Sequence, residues 1–143
     1  MKTKALDEIA RTLIQDYGAE PAFLGYRGFP ATICVSINEE VVHGIPGERV
    51  VREGDLVSID AGAKVDGYYG DAAITVAVGP VPPPLQRLID TTRQALDHAI
   101  ALVTPRHRLS DLSHAVQHTV ERAGLAVVRD FVGHGIGRAM HEE

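Results

Sequence analysis

Hydrophobic positions recur along the chain with two periods, one typical of helices and one typical of strands. Residues 4–17 carry apolar side chains at helical spacing, with Thr3 before them as an N-cap and Gly18 after them as a left-handed stop. Residues 31–38 read A-T-I-C-V-S-I-N, in which apolar and polar side chains alternate as in a strand. The same criteria predict three later elements: helices over 85–103 and 110–122, and a strand over 125–132. The helix over 85–103 is expected to bury the seven residues of its apolar face: Leu88, Ile89, Ala95, Leu96, Ala99, Ile100 and Val103.

The segment 55–78 carries the clearest prediction of local structure and of chemistry. Its two β-rich arms meet at Asp66-Gly67, a strong signal for a two-residue hairpin turn. With the turn there, Asp60 and Asp71 lie one diagonal step apart, and with the turn one position earlier they lie directly opposite. Both registers place the two carboxylates on one face, where like charges resist ionisation unless a cation lies between them. A site for divalent metal ions therefore competes with the simpler interpretation of two solvated aspartates.

Composition and charge exclude several classes of protein. A chain of 143 residues predicts one domain, spanning 1–143, that is large enough to bury a core. The net charge of −5 argues against a nucleic-acid partner, and no apolar run reaches the length of a membrane span. One cysteine, Cys34, cannot form an internal disulfide and fits a reducing compartment, so we expect a cytoplasmic protein.

Five of the seven histidines are candidates for chemistry. His43 follows apolar residues and precedes a Gly-Ile-Pro sequence, at a point where the backbone is expected to bend, and a lone histidine there is more often a hydrogen-bonded structural residue than a catalytic one. His134 lies between two glycines, and His141 follows seven residues later, within reach of the same cleft. His114 and His118 have the spacing of two ligands on one helix face but lack the glutamate of the zinc-protease pattern, so we do not assign them to a metal.

An ordered set of motifs covers nearly the whole chain. It resembles the bacterial-type methionine aminopeptidases of the pita-bread metallopeptidase superfamily. The matching segments are F-L-G-Y-R-G-F-P (23–30), S-I-N-E-E-V-V-H-G-I-P (36–46), G-D-L-V-S-I-D-A-G (54–62), D-G-Y-Y-G-D-A (66–72) and V-V-R-D-F-V-G-H-G-I-G-R-A-M-H-E-E (127–143).

The resemblance implies an α+β fold, namely part of a pita-bread fold with an antiparallel β-sheet and helices packed on one face. Residues 1–143 match the N-terminal portion of that domain and lack its C-terminal part, which supplies two further glutamate ligands in the family. The implied cofactors are two divalent metal ions per complete site, such as Co, Mn, Fe(II) or Zn. The implied partners are nascent peptides with an N-terminal methionine and a small second residue, and the ribosome, with no nucleic acid and no membrane.

The resemblance also assigns roles to residues. Asp60, Asp71 and His134 would bind metal, and His43 and His141 would contact substrate and act in catalysis. The pocket for the methionine side chain would be walled by four further residues, Tyr26, Phe29, Cys34 and Met140. The implied function is metal-dependent removal of the N-terminal methionine from nascent chains. The alternatives are an inactive truncated fragment, or a binding or assembly paralogue with an incomplete metal site; a peptidase acting on X-Pro bonds is disfavoured by the match over 23–46.

Overall fold

The computed structural model describes residues 1–142, and the chain separates into two compact units. One unit contains residues 1–81 together with the segment that begins at Gly133, and the other contains residues 82–132. The single domain expected over 1–143 stays a prediction. All of the residues assigned to the candidate site belong to the first unit.

The first unit consists of one helix and an antiparallel sheet. Its elements are α1 (Thr3–Asp16), β1 (Glu20–Pro21), a 3₁₀ turn (Tyr26–Gly28), β2 (Ile33–Ile37), β3 (Leu56–Val65) and β4 (Tyr68–Ala77). The long strand β3 lies at the centre: β4 pairs along one of its edges, and β2 and β1 pair with successive stretches of the other. The predicted α+β class and antiparallel sheet are confirmed. Helix α1 begins one residue earlier than predicted, so Thr3 is helical and Lys2 occupies the N-cap position.

The hairpin adopts the first of the two registers considered from the sequence. Asp66 and Gly67 both have positive φ, 51° and 82°, as a tight two-residue turn between twisted strands requires. Asp60 pairs with Ala73, so Asp71 lies one diagonal step away on the same face. Turn chemistry at two positions thus determines how close the two carboxylates come.

Strand β2 divides its side chains between a core face and a site face. The core face packs beneath α1 and consists of Ile33, Val35 and Ile37, which cluster with Val57 of β3 and with Leu6 and Ala10 of the helix. Cys34 and Ser36 alternate with these residues and point to the opposite face, where Cys34 pairs with Asp60 across the sheet. Both are buried. The polar face of β2 therefore lies directly beside the carboxylates.

Within residues 1–142 no strand lies beside the outer edge of β2, yet the amides of this edge are hydrogen-bonded. Each amide donates to an acceptor elsewhere in the unit. The acceptors are the Asp7 carboxylate for the Ile33 amide at 3.0 Å, the Gly44 carbonyl for the Val35 amide at 2.8 Å and the Glu40 carboxylate for the Ile37 amide at 2.8 Å. These contacts satisfy buried donors and close an edge that would otherwise invite strand pairing.

The second unit contains α2 (Pro83–Ala101) and α3 (Leu109–Arg122), which pack against each other. Both begin and end within two residues of the predicted bounds. Two prolines occupy the first turn of α2, where no amide donor is needed. None of the three helices within residues 1–142 is both long enough and apolar enough to cross a bilayer.

Two predictions for this unit are wrong. Residues 125–132 are irregular instead of forming a strand, and within residues 1–142 no strand pairs with them. Ile89 and Ala95 of α2 are buried as predicted. Four apolar residues that were expected to be buried with them are exposed: Leu88, Leu96, Ile100 and Val103.

Candidate functional site

Two carboxylates of the β3–β4 hairpin form the centre of the site. The Oδ1 atom of Asp60 is buried, and no hydrogen-bond partner reaches it within the described residues. Burial raises the pKa of Asp60 well above its usual value, and the neighbouring Asp71 carboxylate raises it further through a shared hydrogen bond and through charge repulsion. A buried carboxylate oxygen without a donor, beside a second carboxylate, is an arrangement that a cation would stabilise.

His134 lies against this carboxylate pair. Its Nε2 is 3.8 Å from Oδ2 of Asp71, and its Nδ1 is 2.8 Å from the carbonyl oxygen of Gly135. Because a carbonyl oxygen can only accept, Nδ1 must donate, and in a neutral ring the lone pair then lies on Nε2, toward Asp71. Histidines that bind metals are commonly oriented by such a hydrogen bond from the other ring nitrogen.

The chain after His134 closes into a loop that brings a second histidine to the site. The backbone amides and carbonyls of Gly135 and Glu142 exchange two hydrogen bonds, at 2.9 and 2.8 Å, and the Glu142 carboxylate accepts the amide of Ala139 at 2.8 Å. As a result, the rings of His134 and His141 lie 4.2 Å apart between centroids. The sequence predicted that both histidines share a cleft, but it did not assign this closing role to Glu142.

His141 is held by a tyrosine from the 3₁₀ turn. The Tyr26 hydroxyl lies 2.9 Å from Nδ1 of His141, and the two rings stack with centroids 5.6 Å apart. Loss of solvent around the ring lowers the pKa of His141, and the nearby His134 and Arg27 lower it further. The neutral form of His141 is therefore favoured in this structure.

His43 lies on the connection between β2 and β3. Its backbone is left-handed, with φ of 60°, so the predicted bend occurs at this residue. His43 is near enough to His141 that a positive charge on it would lower the pKa of His141. The structure thus brings all five predicted metal-binding and catalytic residues to one region of the first unit.

The four residues predicted to wall a pocket lie together in one apolar cluster. Cys34 and Met140 are buried in it, and Tyr26 and Phe29 pack against it. Three residues that the prediction did not include complete the cluster, namely Ala22, Phe23 and Tyr69. Strand parity was a usable signal for Tyr69, because it lies two residues before Asp71 and so points to the same face.

Phe23 and Cys34 show how closely this cluster packs against the sheet. A Cβ atom added at Gly62 would lie 2.4 Å from the Phe23 ring, so the ring rests directly on the backbone of β3. Burial raises the pKa of the Cys34 thiol to about 12, with smaller contributions from Asp60 and Asp71. Cys34 is therefore a protonated wall residue and a poor nucleophile.

The donor set fits a divalent cation but is incomplete. Within residues 1–142, no three histidine, cysteine, aspartate or glutamate side chains converge closely enough to form a metal site by themselves. Even so, Asp60 has a buried oxygen without a donor, and His134 directs a ring nitrogen toward Asp71. Carboxylate oxygens together with one imidazole are a donor set typical of sites for Mn, Fe, Co or Zn.

Comparison with known proteins gives a consistent result. The sequence pattern described as Metallopeptidase family M24 matches residues 1–143. "Methionine aminopeptidase 1" of Bacillus subtilis is 48% identical over 143 residues, which are 100% of this chain and 58% of that protein. "Methionine aminopeptidase" of Clostridium acetobutylicum is 49% identical over 99% of this chain and 57% of that protein.

Solved structures show the same relationship. The crystal structure of methionine aminopeptidase from Thermotoga maritima superposes with a TM-score of 0.97 at 44% identity, covering 99% of this chain and 57% of that one. "Prolidase from Pyrococcus furiosus" superposes with a TM-score of 0.82 at 23% identity over 99% of this chain and 41% of that one, which shows a shared fold alone. The chain thus spans somewhat more than half the length of the relatives it matches most fully.

Proposed function

Because the chain belongs to metallopeptidase family M24, we propose that it forms part of the active site of a methionine aminopeptidase. The reaction is removal of the N-terminal methionine from nascent peptides whose second residue is small. One observation carries the proposal: Asp60, Asp71 and His134 lie together beside a buried apolar cluster. Relatives with 45–49% identity, all named as methionine aminopeptidases, support it.

Asp60, Asp71 and His134 would hold the metal, and a complete site would contain two divalent ions such as Co, Mn, Fe(II) or Zn. When bound, such ions supply Lewis-acid chemistry, since they acidify water and polarise a carbonyl oxygen. Three ligands are too few for two ions. We therefore expect further carboxylate ligands from the part of the relatives that this chain does not match.

The two remaining histidines would act on the substrate. In a neutral His141 whose Nδ1 accepts a hydrogen bond from Tyr26, the ring proton lies on Nε2. His141 can then donate that proton in a hydrogen bond to an oxygen or nitrogen of the scissile amide, and His43 would donate a second hydrogen bond to the substrate. Donors that are held in place before the reaction stabilise charge as it develops in the transition state.

The apolar cluster would receive the methionine side chain. Cys34, Met140, Tyr26 and Phe29 offer sulfur and aromatic surface, which suits an unbranched thioether. The thiol of Cys34 remains protonated at neutral pH, since its pKa is about 12, so it presents an uncharged wall. A charged or strongly polar first residue would lose its hydration there without compensation.

The same proposal places the protein in the cytoplasm, where nascent chains leave the ribosome and where a single unpaired cysteine stays reduced. Of the interpretations considered from the sequence, the aminopeptidase is favoured over the X-Pro peptidase. The prolidase of Pyrococcus furiosus, the Xaa-Pro dipeptidase of Bacillus anthracis and the X-Pro aminopeptidase of Thermotoga maritima share 21–23% identity with this chain, against 40–44% for the methionine aminopeptidases of Rickettsia prowazekii and Thermotoga maritima.

The test uses the protein expressed from its complete reading frame and a Met-Ala-Ser peptide. We expect Asp71→Asn or His134→Ala to lower metal-dependent release of methionine by more than about a hundredfold. Asp66→Asn and His114→Ala are the matched controls, because they make the same chemical changes at residues that have no assigned role, one on the hairpin turn and one on α3. Near-wild-type turnover by either site variant would refute the assignment. A polypeptide of residues 1–143 alone should show little or no turnover.

A further inference from the structure

His43 is held in a backbone conformation that a residue with a side chain seldom adopts. Its φ is 60°, in the left-handed region. Such a conformation persists where the surroundings fix it, and it is often found where a side chain must be aimed at a site. The contacts that fix His43 therefore bear on the reaction in which His43 is proposed to take part.

Gly44, the residue after His43, is hydrogen-bonded to β2 through both its carbonyl oxygen and its amide. The carbonyl of Gly44 accepts the amide of Val35 at 2.8 Å, and the amide of Gly44 donates to the Ser36 hydroxyl at 3.1 Å. A Cβ atom at Gly44 would lie 2.1 Å from the Val35 carbonyl oxygen, so the chain rests directly on the strand. Two consecutive residues of β2 thus fix the backbone next to His43.

Only one of these two contacts depends on a side chain. Ser36 is 3% exposed and lies on the site face of β2, two residues from Cys34. Ser58, which pairs with it across the sheet, directs its own hydroxyl to Thr75 at 2.7 Å. The two serines therefore form one cross-strand pair on the same face, but the Ser36 hydroxyl accepts the Gly44 amide whereas the Ser58 hydroxyl bonds to Thr75.

We propose that Ser36 is a positioning residue for the reaction. Its hydroxyl accepts a hydrogen bond from the Gly44 amide. This bond holds His43 in the left-handed conformation and so keeps the imidazole beside the substrate. This inference rests on the proposed function, since it requires that His43 act on the substrate. Ser36 then affects the reaction through His43 and through no other group of the site.

Loss of this hydroxyl has a specific expected consequence. Without it, the Gly44 amide lacks its acceptor, and we expect the population of the left-handed conformation at His43 to fall. An interaction that matters in the transition state changes kcat more than KM. We expect Ser36→Ala to lower kcat about five- to tenfold, the effect of one hydrogen bond, with KM changed less than about twofold.

A double-mutant cycle in the complete, metal-loaded protein tests the inference. Ser36→Ala should change kcat less than about twofold in the His43→Ala background, because its effect passes through His43. Ser58→Ala should have the same small effect in both backgrounds, and Ser36→Thr, which keeps the hydroxyl, should restore most of the activity. An equal loss from Ser36→Ala in both backgrounds, or no loss in the wild-type background, overturns the proposal.

Two further measurements keep the test decisive. If Ser36→Ala does not fold, Ser36→Cys takes its place in the cycle, since its sulfur has the same location but accepts only weakly. NMR couplings and NOEs that report φ of residue 43 should show the left-handed form in the wild type and its loss in Ser36→Ala. An inactive wild type would refute the proposed function, and retention of positive φ in Ser36→Ala would separately refute the role of Ser36.

Discussion

The carboxylate of Asp7 gives a prediction of stability that follows directly from its contacts. Asp7 is a buried residue of α1, and its Oδ1 accepts the amides of Thr32 at 2.7 Å and Ile33 at 3.0 Å. Arg11, one helical turn later, lies 3.5 Å from its other oxygen and donates to the Thr32 hydroxyl. One side chain thus joins α1 to the start of the strand that carries Cys34 and Ser36.

The magnitude follows from what Asp7→Ala leaves behind. Thr32 and Ile33 are 0% and 1% exposed, so water cannot readily replace the lost acceptor. A buried donor without a partner costs about 1–3 kcal/mol, and partial relaxation of two such donors suggests a total of about 3 kcal/mol. For a protein of 150–250 residues, this corresponds to a decrease in Tm of about 6–12 °C.

Asp7→Asn is the matched variant for this test. It keeps an acceptor at Oδ1 but removes the charge, so we expect a loss of only about 1 kcal/mol. Glu8→Ala, on the exposed side of the same helix, should change the free energy of unfolding by less than about 0.5 kcal/mol.

The assay is thermal and urea unfolding of the complete protein, together with amide hydrogen exchange at Thr32 and Ile33. Exchange at these two amides should be faster in Asp7→Ala than in Asp7→Asn. A decrease in Tm below about 2 °C for Asp7→Ala, with exchange unchanged, would show that the carboxylate does not hold this edge.

Two further predictions concern the site face of the sheet. Gly62→Ala should lower the free energy of unfolding by about 1–3 kcal/mol and raise KM for Met-Ala-Ser, because the new methyl group displaces the Phe23 ring. Gly70→Ala is the control: its Cβ would meet nothing within 4 Å, so neither quantity should change. In metal-free protein, the rise of the Cys34 pKa from 9.0 to about 12 should make alkylation by iodoacetamide at pH 8 about a thousandfold slower than in the urea-unfolded chain. Because the unfolded chain loses the Cys34 proton at a lower pH than the folded protein, the free energy of unfolding should be unaffected below pH 9 and should fall as pH rises toward 12. Cys34→Ser should remove this fall. Equal alkylation rates in folded and unfolded protein would contradict the burial of the thiol.

The hairpin could be predicted from sequence because its determinants are local. An Asp-Gly dipeptide between alternating strands selects a two-residue turn, and the register of the whole β3–β4 pair follows from it. The relation of Asp60 to Asp71 needed no more information than that. The positions of His134 and His141 were harder, because the turn that joins them depends on backbone bonds between Gly135 and Glu142.

The errors have an equally physical origin. Helical spacing correctly located α2 and α3, but it overestimated burial, because periodicity shows which face is apolar and not what covers that face. The apolar run of residues 125–132 resembled a strand, yet a strand exists only where another edge pairs with it. Contacts between distant segments, such as Gly44 on β2, leave no periodic pattern and were not predicted.

Strand β2 explains why the core and the site cannot vary independently in this protein. Its odd-numbered residues, Ile33, Val35 and Ile37, are held beneath α1, and this fixes the orientation of Cys34 and Ser36 on the other face. Because side chains alternate, a shift of one residue would move the apolar set onto the carboxylates and the polar set into the core. The acceptors along the outer edge of the strand oppose such a shift, since each is fixed in a different part of the unit. A substitution that removes one of these acceptors should therefore disturb the geometry around Asp60 before it unfolds the sheet. In such a variant, activity should be lost at a lower temperature or urea concentration than secondary structure.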